Sequence, residues 1–354
     1  MQLKKNPLRS VAALALVASL SLPAAAQYRQ HNLVSDGFVA ADHIDADLVN
    51  PWGMSSSATS PFWVSNQGTG NSTLYNGLGA KQALVVNTGA NPTGQVFNST
   101  SGFLVGGAAA RFMFATLGGK ITAWNSGQGT VAATMVDRSA QGAAYTGLAR
   151  VNDKLFAADN ANGGVDVFDS SFAFQTTLTE PNLPSGYKAY GVHNIGGQVW
   201  VTYSVEEQVG GIVDVYDAAG NFVKRFATSN DLAEPWGLTV APSTFGAFAN
   251  DVLVGNALSG KIAAFDPVSG VFQGFLRDEN GKDIVNTGLW DIRFGTGGSL
   301  FDKNSLYFAA GIGDELHGLV GRIDSVPEPM TMGVLAFGAL SSLAVRRRSK
   351  KTSP

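Results

Sequence analysis

The feature that most constrains the fold of this chain is a repeat of about 50 residues. Each copy contains a short apolar run that ends in an aromatic residue or Ile, followed by Asn or Asp. The six runs end at Tyr75-Asn76, Trp124-Asn125, Phe168-Asp169, Tyr216-Asp217, Phe265-Asp266 and Ile323-Asp324, in steps of 44 to 58 residues. Self-similarity with a period of about 20 to 50 residues is typical of solenoids, propellers and other repeat arrays.

Within each copy the pattern predicts four short β-strands, because β-branched and aromatic runs are bounded by Gly, Asn, Asp and Ser. The opening strand is marked by pairs such as Trp52-Gly53, Tyr190-Gly191, Trp236-Gly237 and Trp290-Asp291, with looser versions at Phe103-Leu104-Val105 and Thr146-Gly147-Leu148. Between the two ends of the chain we find no amphipathic helical pattern. Four strands in each of six units predict an all-β, six-bladed β-propeller with four-stranded blades.

The sixth unit contains only three predicted strands and ends at about Asp324. Residues 31–35 can supply its missing fourth strand, so we expect the N-terminal strand to close the ring. Closure of this kind leaves the repeat array without a free edge. A stacked pair of β-sandwiches is the alternative fold, since the sequence of such a fold also shows many short strands.

The N-terminus has the three-part layout of a secretory signal peptide. A charged start is followed by an uncharged Ala/Leu/Val-rich stretch from residue 10, and then by small residues at Ala24 and Ala26. We expect signal peptidase to cut after Ala26, which makes residues 1–26 the signal peptide and predicts an exported protein.

The C-terminus combines Pro327, Glu328 and Pro329 with an uncharged run over residues 329–345 and a basic end. The basic end begins with Arg346, Arg347 and Arg348. As a helix at ~1.5 Å per residue, the run covers about 25 Å, which is short for a hydrocarbon core of about 30 Å. We therefore expect a transient membrane anchor whose basic cluster stays in the cytoplasm.

This three-part tail resembles the PEP-CTERM sorting signal of exopolysaccharide-producing Gram-negative bacteria. The resemblance implies that an exosortase cuts near Pro327-Glu328-Pro329 and leaves the protein at the cell surface or outside the cell. A plain tail anchor is the alternative. The expected organisation is thus a signal peptide (1–26), a propeller (27–326) and a sorting signal (327–354).

Composition excludes several classes of function for the expected mature body. Removing both ends leaves 16 Lys+Arg against 26 Asp+Glu, a net charge near −10. An acidic body without a basic stripe argues against binding to nucleic acid or anionic lipid. The chain has no cysteine, which excludes disulfides and thiol chemistry.

Ligand-binding candidates are the polar residues that do not repeat in every blade, because the scaffold is regular and sites lie on loops. They are Asn66, Asp159, Asn160 and Asn256 after second strands, Asn50, His193 and Glu234 beside first strands, and Asp314, Glu315 and His317 in the last unit. Carboxylates and amides that converge on a channel suit Ca²⁺ or the hydroxyls of a sugar. The alternative is that each serves its own turn backbone.

Catalytic motifs are weak in this sequence. The four histidines are dispersed without metal-ligand spacing, and no Gly-x-Ser-x-Gly elbow occurs. Residues 255–261 have P-loop glycine and lysine spacing, but Ile262 replaces the Mg²⁺-binding hydroxyl, and the segment joins two predicted strands. We therefore reject nucleotide binding.

Through its repeat pattern the body resembles six-bladed propellers of the NHL and gluconolactonase-like groups, and most of all an uncharacterised propeller family with PEP-CTERM tails. We expect an extracellular binding or matrix protein that contacts exopolysaccharide or a surface partner. The alternative implied by the resemblance is a Ca²⁺-dependent lactonase-like hydrolase in which Glu234 meets Asn160 or Asn256 at the channel mouth. A quinone-cofactor sugar dehydrogenase is a third hypothesis, and the small number of His and Arg residues near the expected channel argues against it.

Overall fold

A computed structural model describes residues 27–180 and 182–326, and these form six blades arranged around a central channel. The N-terminal strands are β1 (Tyr28–Ser35) and β2 (His43–Ile44). Blade 1 contains β3 (Pro51–Ser55), β4 (Phe62–Asn66), β5 (Asn71–Tyr75) and β6 (Lys81–Asn87). Blade 2 contains β7 (Pro92–Phe97), the inserted hairpin β8 (Leu104–Val105) and β9 (Ala108–Ala109), and then β10 (Phe112–Thr116), β11 (Lys120–Trp124) and β12 (Ala133–Asp137).

The remaining blades follow the same order from the innermost to the outermost strand. Blade 3 contains β13 (Tyr145–Val151), β14 (Lys154–Asp159), β15 (Gly164–Asp169) and β16 (Phe174–Leu178). Blade 4 contains β17 (Lys188–Ile195), β18 (Gln198–Ser204), β19 (Val209–Tyr216) and β20 (Phe222–Ala233). Blade 5 contains β21 (Pro235–Val240), β22 (Val252–Asn256), β23 (Ile262–Phe265) and β24 (Phe272–Phe275). Blade 6 contains β25 (Leu289–Phe294), β26 (Leu306–Ala310) and β27 (Leu319–Ser325), completed by β1. Within the described residues, three short 3-10 turns span Ser126–Gln128, Ser139–Gln141 and Gly246–Phe248.

The predicted six-bladed propeller and its closure by the N-terminal strand are confirmed. β1 pairs antiparallel with β27, from Tyr28 opposite Ser325 to Ser35 opposite Leu319. Tyr28 is fully buried, and its ring packs 4.8 Å from that of Phe245 in blade 5. The closing strand is therefore held by hydrogen bonds to blade 6 and by packing against blade 5. The predicted segment limits at residues 26 and 327 and the tail helix lie outside the described residues.

Blade 2 differs from the prediction for its opening strand. The inner strand is β7, whereas Phe103, Leu104 and Val105 belong to the inserted hairpin and its approach. Phe103 is fully buried because it packs against blade 3, where its ring lies 5.3 Å from that of Phe172. The apolar residues of this segment fill a gap between blades, and the strand assignment from their hydrophobicity is wrong.

Apolar side chains form one cluster at each of the six contacts between neighbouring blades. Each cluster combines residues from two blades, as where Trp63 of blade 1 stacks on Phe112 of blade 2 with ring centroids 4.1 Å apart. Burial of this apolar surface is the main stabilising term in a chain that has no disulfides. No helix in the described part of the chain is long and apolar enough to span a bilayer.

The inner strand carries a β-bulge at the same place in all six blades. In each blade it has one residue more than the second strand with which it pairs. The bulges contain Trp52, Thr93, Thr146, Tyr190, Trp236 and Trp290. Because a bulge re-aims a side chain out of the regular pleat, this register places six side chains around the channel axis.

A glycine follows the bulged residue in five blades, and Asp291 takes its place in blade 6. The glycines allow close approach of neighbouring inner strands: a Cβ at Gly191 would lie 2.3 Å from the carbonyl oxygen of Trp236, and one at Gly237 would lie 2.4 Å from that of Trp290. At the contact between blades 6 and 1 a carboxylate takes the place of the glycine, and the two inner strands meet through the side chain of Asp291.

Candidate functional site

Aromatic residues from four blades fill the channel just below the start of the inner strands. The indole rings of Trp52 and Trp290 stack with centroids 3.5 Å apart, and Trp236 meets both edge-on at 6.3 Å. Tyr190 lies 5.9 Å from Trp290. Blades 1 and 5 are not neighbours, so the contact between Trp52 and Trp236 crosses the channel. This aromatic plug (Trp52, Tyr190, Trp236, Trp290) separates an upper mouth, where the inner strands begin, from a lower cavity, where they end.

A polar pocket of about 230 Å³ lies in the upper mouth, between blades 3, 4 and 5. Its walls are formed by Asn160, Gly186, Lys188, Tyr190, Ser204, Val205, Glu206 and Glu234. The set combines carboxylates, an amide, an amine and hydroxyls around one aromatic ring. Such a mixture supplies both donors and acceptors of hydrogen bonds to a small polar ligand.

Glu234 and Asn160 are fixed in this upper pocket by backbone contacts. Glu234 joins β20 to β21 with a positive φ of 51°, directly before Pro235, and its Oε1 accepts the backbone N–H of Glu207 at 2.5 Å. Asn160 follows β14 and donates from Nδ2 to the carbonyl oxygen of Ala189 at 3.2 Å. Since an amide oxygen has two acceptor sites, the Oδ1 atom of Asn160 keeps the capacity to accept.

The upper mouth has a negative electrostatic field. Burial raises the pKa of Glu234, and the nearby carboxylates of Glu206 and Glu315 raise it further. Burial also holds the pKa of Tyr190 well above its usual range, with a contribution from the charge of Glu234. Burial, and then the neighbouring carboxylates, disfavour the ionised form of Glu234, so a ligand that donates hydrogen bonds to this group would stabilise its carboxylate.

Three of the sequence-predicted residues make hydrogen bonds within the scaffold. Asn66 donates to two side chains of its own hairpin. Asp159 accepts a backbone N–H from the turn that precedes β13. Asn256 accepts the backbone N–H of Ala233 at 2.8 Å and donates to two carbonyl groups. The structure therefore brings Asn160 and Glu234 together in one pocket, and Asn256 is engaged beside it.

Further candidates lie on the blade 6 side of the upper mouth. Asn50 is buried, accepts from the indole of Trp290 at 3.1 Å and donates to the carboxylate of Glu315 at 2.9 Å. His317 pairs through Nδ1 with the carboxylate of Asp36 at 2.6 Å. Asn50 and Glu315 thus connect the aromatic plug to the acidic rim.

His193 lies on the other side of the plug and lines the lower cavity, which has a volume of about 400 Å³. Its Nε2 is 2.7 Å from the carbonyl oxygen of Trp236. Because a carbonyl only accepts hydrogen bonds, the neutral ring carries its proton on Nε2 and leaves Nδ1 as an acceptor. Burial lowers the pKa of His193 to about 4, so the ring is neutral at pH 7.

The lower cavity also contains residues that sequence reasoning did not select. Arg150, Arg293, Ser55 and Thr239 line it together with His193. Each lies near the end of an inner strand of a different blade. Aligning the six inner strands on the bulged residue is the signal that finds them, since polar and charged side chains then stand out from the apolar residues at equivalent positions.

Asp291 and Arg293 connect blade 6 to blade 1 beside this cavity. Asp291 is fully buried, and its Oδ2 accepts the backbone N–H of Met54 at 2.7 Å and the Nε–H of Arg293 at 2.9 Å. Its Oδ1 has no hydrogen-bond partner among the described residues. The carboxylate occupies the place that glycine has in the other five blades.

No group of three His, Asp or Glu side chains within residues 27–180 and 182–326 is arranged to hold a metal ion. The calcium ligands expected from the sequence therefore reduce to Glu234 and Asn160 in the upper pocket, because the side chain of Asn256 is engaged with backbone.

No protein-family model matches the sequence. Two uncharacterised proteins of Acanthamoeba polyphaga mimivirus are each 28% identical to the chain. One is similar over 320 residues, covering 82% of this chain and 78% of the relative, and the other over 329 residues, covering 85% and 86%. These relatives extend the similarity over most of the chain without adding an activity.

Solved structures resemble the propeller at low sequence identity. A streptogramin B lyase matches with a TM-score of 0.53 and 13% identity, over 84% of this chain and 97% of the lyase. A putative gluconolactonase matches with a TM-score of 0.52 and 12% identity, over 86% and 96%. At such identity the likeness is one of fold alone. The chain thus shares the β-propeller fold of lyase and gluconolactonase-like proteins.

Proposed function

We propose that this protein is an exported saccharide-binding propeller whose binding site is the polar pocket over Tyr190 in the upper mouth. The observation that carries the proposal is the composition of that pocket. Glu206, Glu234 and Asn160 offer acceptors, while Lys188 and Ser204 offer donors, within about 230 Å³. A saccharide presents several hydroxyls, each a donor and an acceptor, together with an apolar ring face that an aromatic ring can contact.

The charge of the pocket favours a neutral saccharide or one that brings a cation. An anionic sugar would meet the carboxylates of Glu206 and Glu234, and burial together with the charge of Glu206 already raises the pKa of Glu234. A bound Ca²⁺ would be held by the same carboxylates and the amide oxygen of Asn160, with sugar hydroxyls or water as further ligands. Binding measured with and without Ca²⁺ therefore belongs to the test.

Export and sorting form the second part of the proposal and rest on the sequence of the two ends. The N-terminal segment up to Ala26 has the features of a signal peptide, and the tail from Pro327 resembles a PEP-CTERM signal. A protein released by exosortase into an exopolysaccharide layer would meet saccharides as its most abundant ligands. Mass spectrometry of the protein from the producing cells should find an N-terminus at Gln27 and no basic tail.

The binding test is an equilibrium titration of the purified protein with size-fractionated exopolysaccharide from the producer. Glu234→Gln and Asn160→Ala each remove one polar group from the pocket, and each should weaken binding about tenfold, the effect of about 1.4 kcal/mol. The matched control is Glu279→Gln, an exposed glutamate after β24 that pairs with Arg29 and lines neither the upper pocket nor the lower cavity. Equal affinity of all four proteins, or no binding to any matrix fraction, would contradict the proposal.

A lactonase-like hydrolase is the second candidate, and the raised pKa of Glu234 favours it. A partly buried carboxyl group with a perturbed pKa inside a pocket is a candidate general acid or base. A screen of sugar lactones with and without Ca²⁺ tests this reading. Turnover that disappears in Glu234→Gln while saccharide binding persists would move the assignment from binding protein to enzyme.

A further inference from the structure

The lower cavity is chemically unlike the upper pocket from which the aromatic plug separates it. Arg150 and Arg293 are among the residues that line it, and no Asp or Glu is among its lining residues in the described part of the chain. The acidic residues Glu206 and Glu234 line the pocket at the other end of the channel. The two ends of one channel thus present opposite charges.

Arg150 supplies a positive charge that no carboxylate neutralises by direct contact among the described residues. Its guanidinium donates to the carbonyl oxygen of Asn152 at 2.6 Å and to the hydroxyl of Ser99 at 2.9 Å, and both partners are neutral. Burial lowers the pKa of Arg150, and the exposed Asp153 opposes that shift without forming an ion pair with it. Neutral partners fix the orientation of the guanidinium and leave its charge to act on the cavity.

Arg293 is anchored from one side only. Its Nε donates to Asp291, and its two terminal nitrogens make no hydrogen bond within residues 27–180 and 182–326. A guanidinium that is held through Nε presents two parallel donors on its outer edge, which match the two oxygens of a carboxylate.

Ser55 adds a polar group that has no partner within the described chain. The residue is 2% exposed, lines the cavity, and its hydroxyl makes no hydrogen bond. A buried hydroxyl without a partner is unfavourable, and most such groups in folded proteins are satisfied by protein, water or ligand. Across the cavity, the Nδ1 atom of neutral His193 is an acceptor for a ligand hydroxyl.

We infer that the lower cavity is a second binding site, for a small sugar acid whose carboxylate is held between Arg150 and Arg293 and whose hydroxyls contact Ser55 and His193. The cavity, at about 400 Å³, is large enough for one monosaccharide unit with bound water. The charge favours an anionic sugar over a neutral one, and the hydroxyl and imidazole groups favour hydroxylated anions over inorganic ones. This site does not depend on the proposed function of the upper pocket.

The test is calorimetric titration of the purified protein with D-glucuronate, with D-glucose as the neutral match of the same ring size. Glucuronate should bind, glucose should not, and affinity should fall as salt is added because charge contributes to binding. Arg150→Gln should weaken binding about tenfold or more, and Ser55→Ala about threefold to tenfold, the ranges for charged and neutral hydrogen bonds. Ser55→Ala removes only an unpartnered hydroxyl, so it keeps the test valid even where Arg150→Gln impairs folding.

Glu234→Gln is the control that distinguishes the two ends of the channel. If Glu234→Gln leaves the affinity for glucuronate unchanged and Ser55→Ala lowers it, the ligand lies in the lower cavity. This conclusion holds whether or not exopolysaccharide binds in the upper pocket. Affinity that changes only in Glu234→Gln places the ligand in the upper pocket and overturns the inference. Equal binding of glucose and glucuronate, no binding of glucuronate, or full affinity in Ser55→Ala and Arg150→Gln would also overturn it.

Discussion

Replacing Asp291 by alanine tests how the ring closes between blades 6 and 1. At this place the other five blades use glycine, and the inner strands approach each other through backbone contact. In blade 6 the contact is made by the Asp291 carboxylate, which holds the backbone N–H of Met54 across the gap and the guanidinium of Arg293 beside it. Alanine removes both interactions.

The magnitude follows from three contributions. Losing a hydrogen bond from Met54 to a charged acceptor costs about 1.5 to 3 kcal/mol. Losing the ion pair costs about 1 kcal/mol or less, because the side chain of Arg293 is 35% exposed and water screens it. Removing the unpartnered Oδ1 atom returns about 1 kcal/mol. The free energy of unfolding should therefore fall by about 0.5 to 3 kcal/mol.

The assay is urea unfolding followed by tryptophan fluorescence, with the free energy of unfolding from linear extrapolation. Asp291→Asn keeps an acceptor for Met54 and should lose less than Asp291→Ala. Asp153→Asn, at an exposed position, is the control and should stay within about 0.5 kcal/mol of the unmodified protein. A loss below about 0.5 kcal/mol in Asp291→Ala would refute the view that this carboxylate joins the two blades.

Three further predictions concern the inner strands. Gly191→Ala should lower the free energy of unfolding in urea by about 3 kcal/mol or more, because the new Cβ would lie 2.3 Å from a carbonyl oxygen of blade 5. An unchanged free energy of unfolding would contradict the close approach of the inner strands of blades 4 and 5. Between pH 6.5 and pH 4 the free energy of unfolding should fall by about 3 kcal/mol more in the unmodified protein than in His193→Asn. The reason is that His193 binds a proton in the unfolded chain but stays neutral when buried, and parallel pH profiles of the two proteins would contradict this. Ser55→Ala should raise the ligand-free stability by about 1 kcal/mol in the same unfolding assay, and a loss of stability would show that the hydroxyl has a partner.

The repeat made most of the fold predictable from sequence. Five of the six inner strands, all six third strands and the closing strand lie where the pattern placed them, because each copy pairs aromatic or β-branched runs with turn residues. The exception is blade 2. Its inner strand begins Pro92-Thr93-Gly94, which lacks the aromatic residue of most copies, while the inserted segment beyond it carries Phe103 and Leu104. Hydrophobicity cannot distinguish a strand from an insertion that packs between blades.

The candidate site was less predictable, because its residues come from blades separated by about 50 residues or more in sequence. Glu234 and Asn160 could be selected as departures from the repeat, but their meeting over Tyr190 depends on the ring geometry. The same rule selects Asn66, which makes hydrogen bonds within its own blade, and Asn256, which bonds to backbone of blade 5 and to Ala233 at the end of blade 4. Polar residues after second strands serve turns and ligands alike, and single-sequence patterns do not separate the two roles.

A crystal structure of the protein with an oligosaccharide prepared from the producer's exopolysaccharide tests the proposed function most directly. We predict a sugar unit in the pocket over Tyr190, with hydroxyls hydrogen-bonded to Glu234 and Asn160. A sugar bound only on an outer strand or a blade rim, at concentrations that saturate binding in solution, would contradict the assignment of the upper mouth as the saccharide site.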